Sequence, residues 1–194
     1  MGDVREASVL EGGFSDPATQ GARAFRALLD AMAHPGRVFS LEGARAPGPL
    51  SNAAASALLT LCDPDTPLFL APSHDAHDLR AWIEFHTGAP MVPAAKAMFA
   101  LGTWDSLDPL SAYPIGTPEY PDRSTTLIVE CESLTQGCPA RFTGPGIESS
   151  LQGHLPALAP LQQNNSLFPL GVDWLFTCGS DVMALPRSTK IEAL

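Results

Sequence analysis

The chain has 194 residues and a formal net charge of −10, from 11 lysines and arginines against 21 aspartates and glutamates, a balance that argues against binding along the phosphate backbone of nucleic acids. Its four cysteines (62, 131, 138 and 178) form no C-x-x-C pair, the N-terminus lacks the apolar core of a signal peptide, and no apolar run approaches the roughly 18 residues of a membrane span. No metal site is expected, and a cytoplasmic location with reduced thiols fits best. Only 16% of residues are charged while 45% are apolar; soluble proteins carry about 25% charged residues, so part of the surface is expected to lie under a partner.

In chain order, residues 1–13 are small and polar and are expected to form a flexible tail, with residues 14–194 as one domain. Asp16-Pro17 marks a helix start, cap then N1 proline, and the helix runs to about Ala33. Phe25, Leu28, Leu29 and Met32 recur at spacings of three and four and predict one buried stripe. Pro35-Gly36 stops it. Arg37–Leu41 reads as a short strand and Glu42–Pro49 as a loop. Ser51 caps a second helix to Leu61, apolar nearly all round and therefore buried. Leu68–Leu70 is a strand, Ser73–Asp78 opens a third helix to about His86, and Gly88 is its C-cap. Met98–Leu101 and Thr125–Val129 are strands. Between them come a helical turn at Trp104–Leu110 and the proline-rich loop Ser111–Arg123. Pro156–Gln163 is a fourth helix. Leu175–Cys178 and Val182–Leu185 flank Gly179-Ser180-Asp181 as a hairpin, which Pro186 ends. Interleaved strands and helices followed by a hairpin predict an α/β domain of three layers, α/β/α, with helices on both faces of a mixed sheet.

No self-contained catalytic set emerges. His74 and His77 have the spacing of a ligand pair or of a solvated helix start. His86 near a helix C-terminus is suited to an anion or an acid role, and equally to capping a carbonyl. Arg26 reads as an anion clamp or as a surface ion pair. Gly144-Pro145-Gly146 allows close backbone approach, but lacks nucleotide-loop spacing and equally makes a tight turn. Asp173 is a carboxylate at a strand entry, for catalysis or for holding a loop. Arg187-Ser188-Thr189-Lys190 brings cations and hydroxyls to a strand exit, a combination suited to an anion. Cys62 and Cys178 sit in apolar runs, as inert core thiols do.

Several short motifs, in order and nearly end to end, carry a resemblance. They are Gly13-Phe14 with Gln20, Phe25-Arg26-x-Leu28-Leu29-x-Ala31-Met32, Pro35-Gly36, Leu61-Cys62-Asp63 with Thr66, and Phe85-His86-Thr87-Gly88. Then come Gly144-Pro145-Gly146-Ile147, Phe168-Pro169-Leu170-Gly171-Val172-Asp173 and Leu185-Pro186-Arg187-Ser188-Thr189. Together they resemble PhnH, the H subunits of bacterial carbon–phosphorus lyase systems. Ser188 stands where that family often has a threonine, and keeps the hydroxyl. The resemblance implies a fold like that of pyridoxal-phosphate (PLP)-dependent transferases but without the cofactor. It implies a homodimer that joins subunits G, I and J. It also implies a part in forming α-D-ribose 1-methylphosphonate 5-triphosphate from a purine nucleoside triphosphate and an alkylphosphonate. On that footing the candidate residues for a phosphonate or nucleotide ligand are Arg26, His86, Thr87, Gly144, Pro145, Gly146, Asp173, Arg187 and Thr189, in a structural or substrate-handling subunit. The alternatives are a stand-alone enzyme using His86 and Asp173 as an acid–base pair, and a purely architectural dimer.

Overall fold

Alternating apolar side chains build a sheet with two buried faces. The computed structural model describes residues 10–194. Helix α1 (Pro17–Ala33) starts where Asp16 accepts a hydrogen bond from the Thr19 N–H at 3.3 Å. Strand β1 (Val38–Ser40) and helix α2 (Asn52–Leu61) follow, the latter capped by the Ser51 hydroxyl on the Ala54 N–H. Next come β2 (Leu68–Leu70), α3 (His77–Thr87), β3 (Phe99–Thr103), β4 (Thr126–Glu130), β5 (Cys138–Thr143) and β6 (Leu151–Leu155). The chain ends with α4 (Ala159–Ser166), β7 (Asp173–Cys178), β8 (Asp181–Leu185) and β9 (Lys190–Ala193). Helix α3 stops at Gly88, whose φ of 67° is left-handed and which glycine adopts without a steric cost.

The main sheet has six strands in the order β1-β8-β7-β4-β3-β2. Strands β2, β3, β4 and β7 are parallel, while β8 and β1 add antiparallel to one edge, so the sheet is mixed as the pattern predicts. The β7–β8 hairpin lies where the apolar runs place it, with Cys178 opposite Asp181.

Leu101, Ile128, Leu175, Val182 and Ala184 point to one face, where α1, α2 and α3 cover them. Ala100, Leu127, Val129, Trp174, Phe176 and Met183 point to the other. The expectation of helices on both faces is corrected there: the second face is covered mainly by a three-stranded antiparallel sheet, order β6-β5-β9, with the short α4 beside it. Those three strands are absent from the sequence reading. Two residues of the predicted α1 stripe also lie elsewhere: Leu28 is buried, but Phe25 is 48% and Leu29 53% exposed.

Residues 1–9 of the predicted tail lie outside the described residues. Residues 10–13 are tied to α3, where Trp82 Nε1 donates to the Glu11 carbonyl and His86 Nε2 to the Leu10 carbonyl, each at 2.9 Å.

Candidate functional site

The predicted site residues divide into one cluster and three outliers. The cluster forms where β8 leaves the main sheet. Arg187 donates its backbone N–H to Asp173 Oδ1 at 2.7 Å, its Nε to the same oxygen at 3.1 Å, and its Nη2 to Asp173 Oδ2. The guanidinium also reaches the Pro121 carbonyl at 2.6 Å and the Ser124 hydroxyl. Both partners are largely enclosed, with side chains 12% and 16% exposed. Asn165 Nδ2 donates to the Arg187 carbonyl at 2.8 Å, while Asn164 brackets Val172 through its N–H and carbonyl, both at 2.9 Å.

This knot joins β7, the exit of β8, α4 and the proline-rich loop. It explains why aspartate must enter β7 and arginine must leave β8. It also means that Arg187 spends its donors inside the protein. The reading of Asp173 as a residue that holds a loop is the one its contacts fit.

Gly144-Pro145-Gly146 forms the turn after β5, with the Ile147 N–H on the Gly144 carbonyl at 3.1 Å. A Cβ on Gly144 would lie 3.1 Å from the Ser188 carbonyl, and one on Gly146 would collide with the Ala33 carbonyl and Pro35. The glycines at φ 133° and 82° therefore let this turn pack between the end of α1 and the Ser188-Thr189 segment. Thr189 is 2% exposed, and its hydroxyl has no hydrogen-bond partner among the described residues.

Arg26, His86 and Thr87 are placed elsewhere. Arg26 is exposed on α1. His86 packs 4.7 Å from the Trp82 ring and holds the Leu10 carbonyl, so its capping role is directed at the N-terminal segment rather than at its own helix. The Thr87 hydroxyl donates to the Ile83 carbonyl at 2.7 Å and accepts from the Ala89 N–H at 3.1 Å, closing α3. No hydrogen bond or ion pair joins His86 to Asp173 among the described residues, so the structure does not assemble that acid–base pair. His74 and His77 do not converge either. His74 is buried and bonded through Nδ1 to the Ser73 hydroxyl, whereas the His77 side chain is 95% exposed beside Asp78.

Two concavities were not foreseen. A cleft of about 500 Å³ adjoins the knot, walled by Asp108, Tyr113, Ile115, Gln163, Asn164 and Val172. Burial pushes the Tyr113 hydroxyl up to about 12, so it is a neutral hydrogen-bonding group there. A second cavity, of about 460 Å³, opens at the C-terminal ends of β3 and β4, where parallel sheets characteristically bind ligands. Asp105, Glu130 and Glu132 line it. Glu130 accepts from the Ser51 N–H at 2.7 Å and from the Thr177 hydroxyl at 3.2 Å; burial raises its pKa from 4.5, against the lowering effect of those bonds. The sequence signal for it was a carboxylate ending the apolar run of β4. No lysine, arginine or histidine lines either space among the described residues, so neither offers an anion a counter-charge.

A family model described as "Bacterial phosphonate metabolism protein (PhnH)" matches residues 12–192. The chain belongs to the PhnH family. It is similar to the alpha-D-ribose 1-methylphosphonate 5-triphosphate synthase subunit PhnH of Rhizobium meliloti (strain 1021), at 38% identity over 197 residues, covering 96% of this chain and 98% of the relative. It is also 30% identical over 175 residues to HtxG of Stutzerimonas stutzeri, named as a C-P lyase subunit protein, covering 87% of this chain and 84% of that one. The PhnH match takes in the docked Gly12-Gly13 segment, the Asp173–Arg187 knot and both concavities.

Proposed function

We propose that this chain is a subunit of a carbon–phosphorus lyase system for organic phosphonate catabolism. In that reading it contributes to synthesis of α-D-ribose 1-methylphosphonate 5-triphosphate from a purine nucleoside triphosphate and an alkylphosphonate. The observation that carries the reading is the nearly end-to-end 38% identity to a subunit of that name. The role is structural or substrate-handling, without a reaction centre of its own. Three features support this. His86 and Asp173 are committed to separate partners. Arg187 is spent on an internal ion pair. Phe25, Leu29 and Met98 leave apolar surface exposed, as burial within an assembly would require.

The chain acts in the cytoplasm, as a homodimer joined to subunits G, I and J. No described helix is long and apolar enough to cross a membrane. Its fold is a variant of the PLP-dependent transferase architecture that uses no PLP; Lys96 and Lys190, the two lysines of the chain, both lie exposed on the surface. A phosphonate or nucleotide ligand would be shared with a partner that supplies the positive charge.

Affinity purification of the tagged chain from its native host, with identification of what copurifies, tests this. Other lyase subunits are expected in the eluate, and the chain purified alone is expected to turn over neither phosphonates nor nucleotides. Robust turnover by the isolated chain would overturn the reading in favour of a stand-alone enzyme.

A further inference from the structure

Two thiols meet at one end of the main sheet. In the parallel pairing of β4 with β7, Glu130 lies opposite Thr177. The Cys131 N–H continues that ladder to the Thr177 carbonyl at 2.8 Å, which places Cys131 opposite Cys178. Side chains alternate along a strand, and Val129 and Phe176, two residues earlier on each, face the same core. Both cysteines therefore point to one side of the sheet. Neighbouring strands lie about 4.7–4.9 Å apart, inside the Cα separation of about 4.4–6.8 Å that a disulfide spans. Both thiols are free; Cys178, expected as an inert core thiol, is only partly buried at the strand end, and its Sγ is directed at the Glu132 carbonyl at 3.3 Å, while Cys131 Sγ is directed at the Val129 carbonyl at 3.7 Å.

We propose that Cys131 and Cys178 are an oxidisable dithiol that closes to a disulfide in the presence of a peroxide. The Cys178 thiolate attacks one peroxide oxygen and expels hydroxide, which takes up a proton to leave as water. The Cys131 sulfur then attacks the Cys178 sulfur of the resulting sulfenic acid; the S–S bond forms, the S–O bond breaks, and the departing hydroxide takes the Cys131 thiol proton to leave as a second water. Two thiols lose two electrons and two protons, and the peroxide gains them. The bond would tie the end of β4 to the β7–β8 hairpin. It would also remove the Cys178 donor from the Glu132 carbonyl, at the wall of the cavity that Cys131 and Glu132 line. Burial pushes the Cys131 thiol up to about 12 and raises that of Cys178 as well, so the thiolate is scarce near neutrality and closure accelerates as pH rises.

The test is hydrogen peroxide treatment of the purified chain, alkylation of the remaining thiols after unfolding, and peptide mapping with and without dithiothreitol. The expected result is one intramolecular 131–178 linkage that dithiothreitol reverses, with Cys62 and Cys138 still alkylated. Cys178→Ser should abolish the linkage and leave Cys131 alkylated. Recovery of Cys131 and Cys178 as separately alkylated thiols, or linkage of either to Cys138, would overturn the proposal.

Discussion

Arg187 shows how a side chain of the right type for an anion can be unavailable to one. Its guanidinium is enclosed by Asp173 at the start of β7 and by the Pro121 carbonyl and the Ser124 hydroxyl of the proline-rich loop and the residue after it. Arg187→Ala would leave the Asp173 carboxylate enclosed with a backbone N–H as its remaining partner from this knot. Breaking a buried pair in this way costs about 3–5 kcal/mol. Urea unfolding should show that loss; unchanged stability would return Arg187 to the pool of ligand-binding candidates. Glu130 makes a prediction with the opposite sign. Its pKa is raised in the folded state, so above 4.5 the folded protein holds a proton that the unfolded chain has released. Stability contributed by that proton is full below 4.5 and is lost as pH rises through the folded-state value. Glu130→Gln retains an acceptor for the Ser51 N–H and has no carboxylate to desolvate. Melting curves should coincide with wild type at about pH 4 and run above it at about pH 7. A variant less stable than wild type at neutral pH would show that the charged form is the favoured one.

Helix α1 and the small sheet illustrate what periodicity does and does not carry. The spacing of Phe25, Leu28, Leu29 and Met32 correctly marks an amphipathic helix. The surface that α1 buries is instead Ala24, Leu28 and Ala31, since small side chains let it sit close to its neighbours, and this turns Phe25 and Leu29 toward solvent. Strand β5 alternates in the expected way, with Ala140 and Phe142 buried and Pro139 and Arg141 exposed. Lys190-Ile191-Glu192 in β9 alternates too, around a buried Ile191. These signals are short, and the two strands are about fifty residues apart in sequence, so neither looks like half of a sheet until the other is placed beside it. Pro139 and Gly153 weaken the strand pattern further. The Phe142 ring also accounts for two glycines: a Cβ on Gly36 or on Gly153 would lie 2.6 Å from it.

Across the whole molecule, charge is the property with the most direct functional consequence. The chain carries −10 overall, and among the described residues neither the cleft beside the knot nor the cavity at the ends of β3 and β4 has a cationic residue in its wall. A triphosphate or a phosphonate dianion would be repelled at long range and unpaired at short range. Titration calorimetry of the isolated chain with a purine nucleoside triphosphate or with methylphosphonate should therefore give no binding tighter than about 1 mM. Micromolar binding by the chain alone would require a cationic site within it and would favour a direct substrate-handling role. Binding that appears only with partner subunits present fits a pocket completed from outside.

The helices α1 to α3, the parallel strands and the β7–β8 hairpin could be recognised before any coordinates, because caps, stop residues and apolar runs are local and act within a few residues. The family was equally accessible, through short motifs kept in order along the chain. Tertiary structure decided the rest: that a second sheet covers one face, that Asp173 and Arg187 neutralise each other, that His86 anchors residues 10–13, and that the two concavities beside the knot and at the ends of β3 and β4 have no cation in their walls among the described residues. Each of these depends on pairing between residues far apart in sequence. A side chain's type states which bonds it can make, and only the packed chain determines which partner takes them.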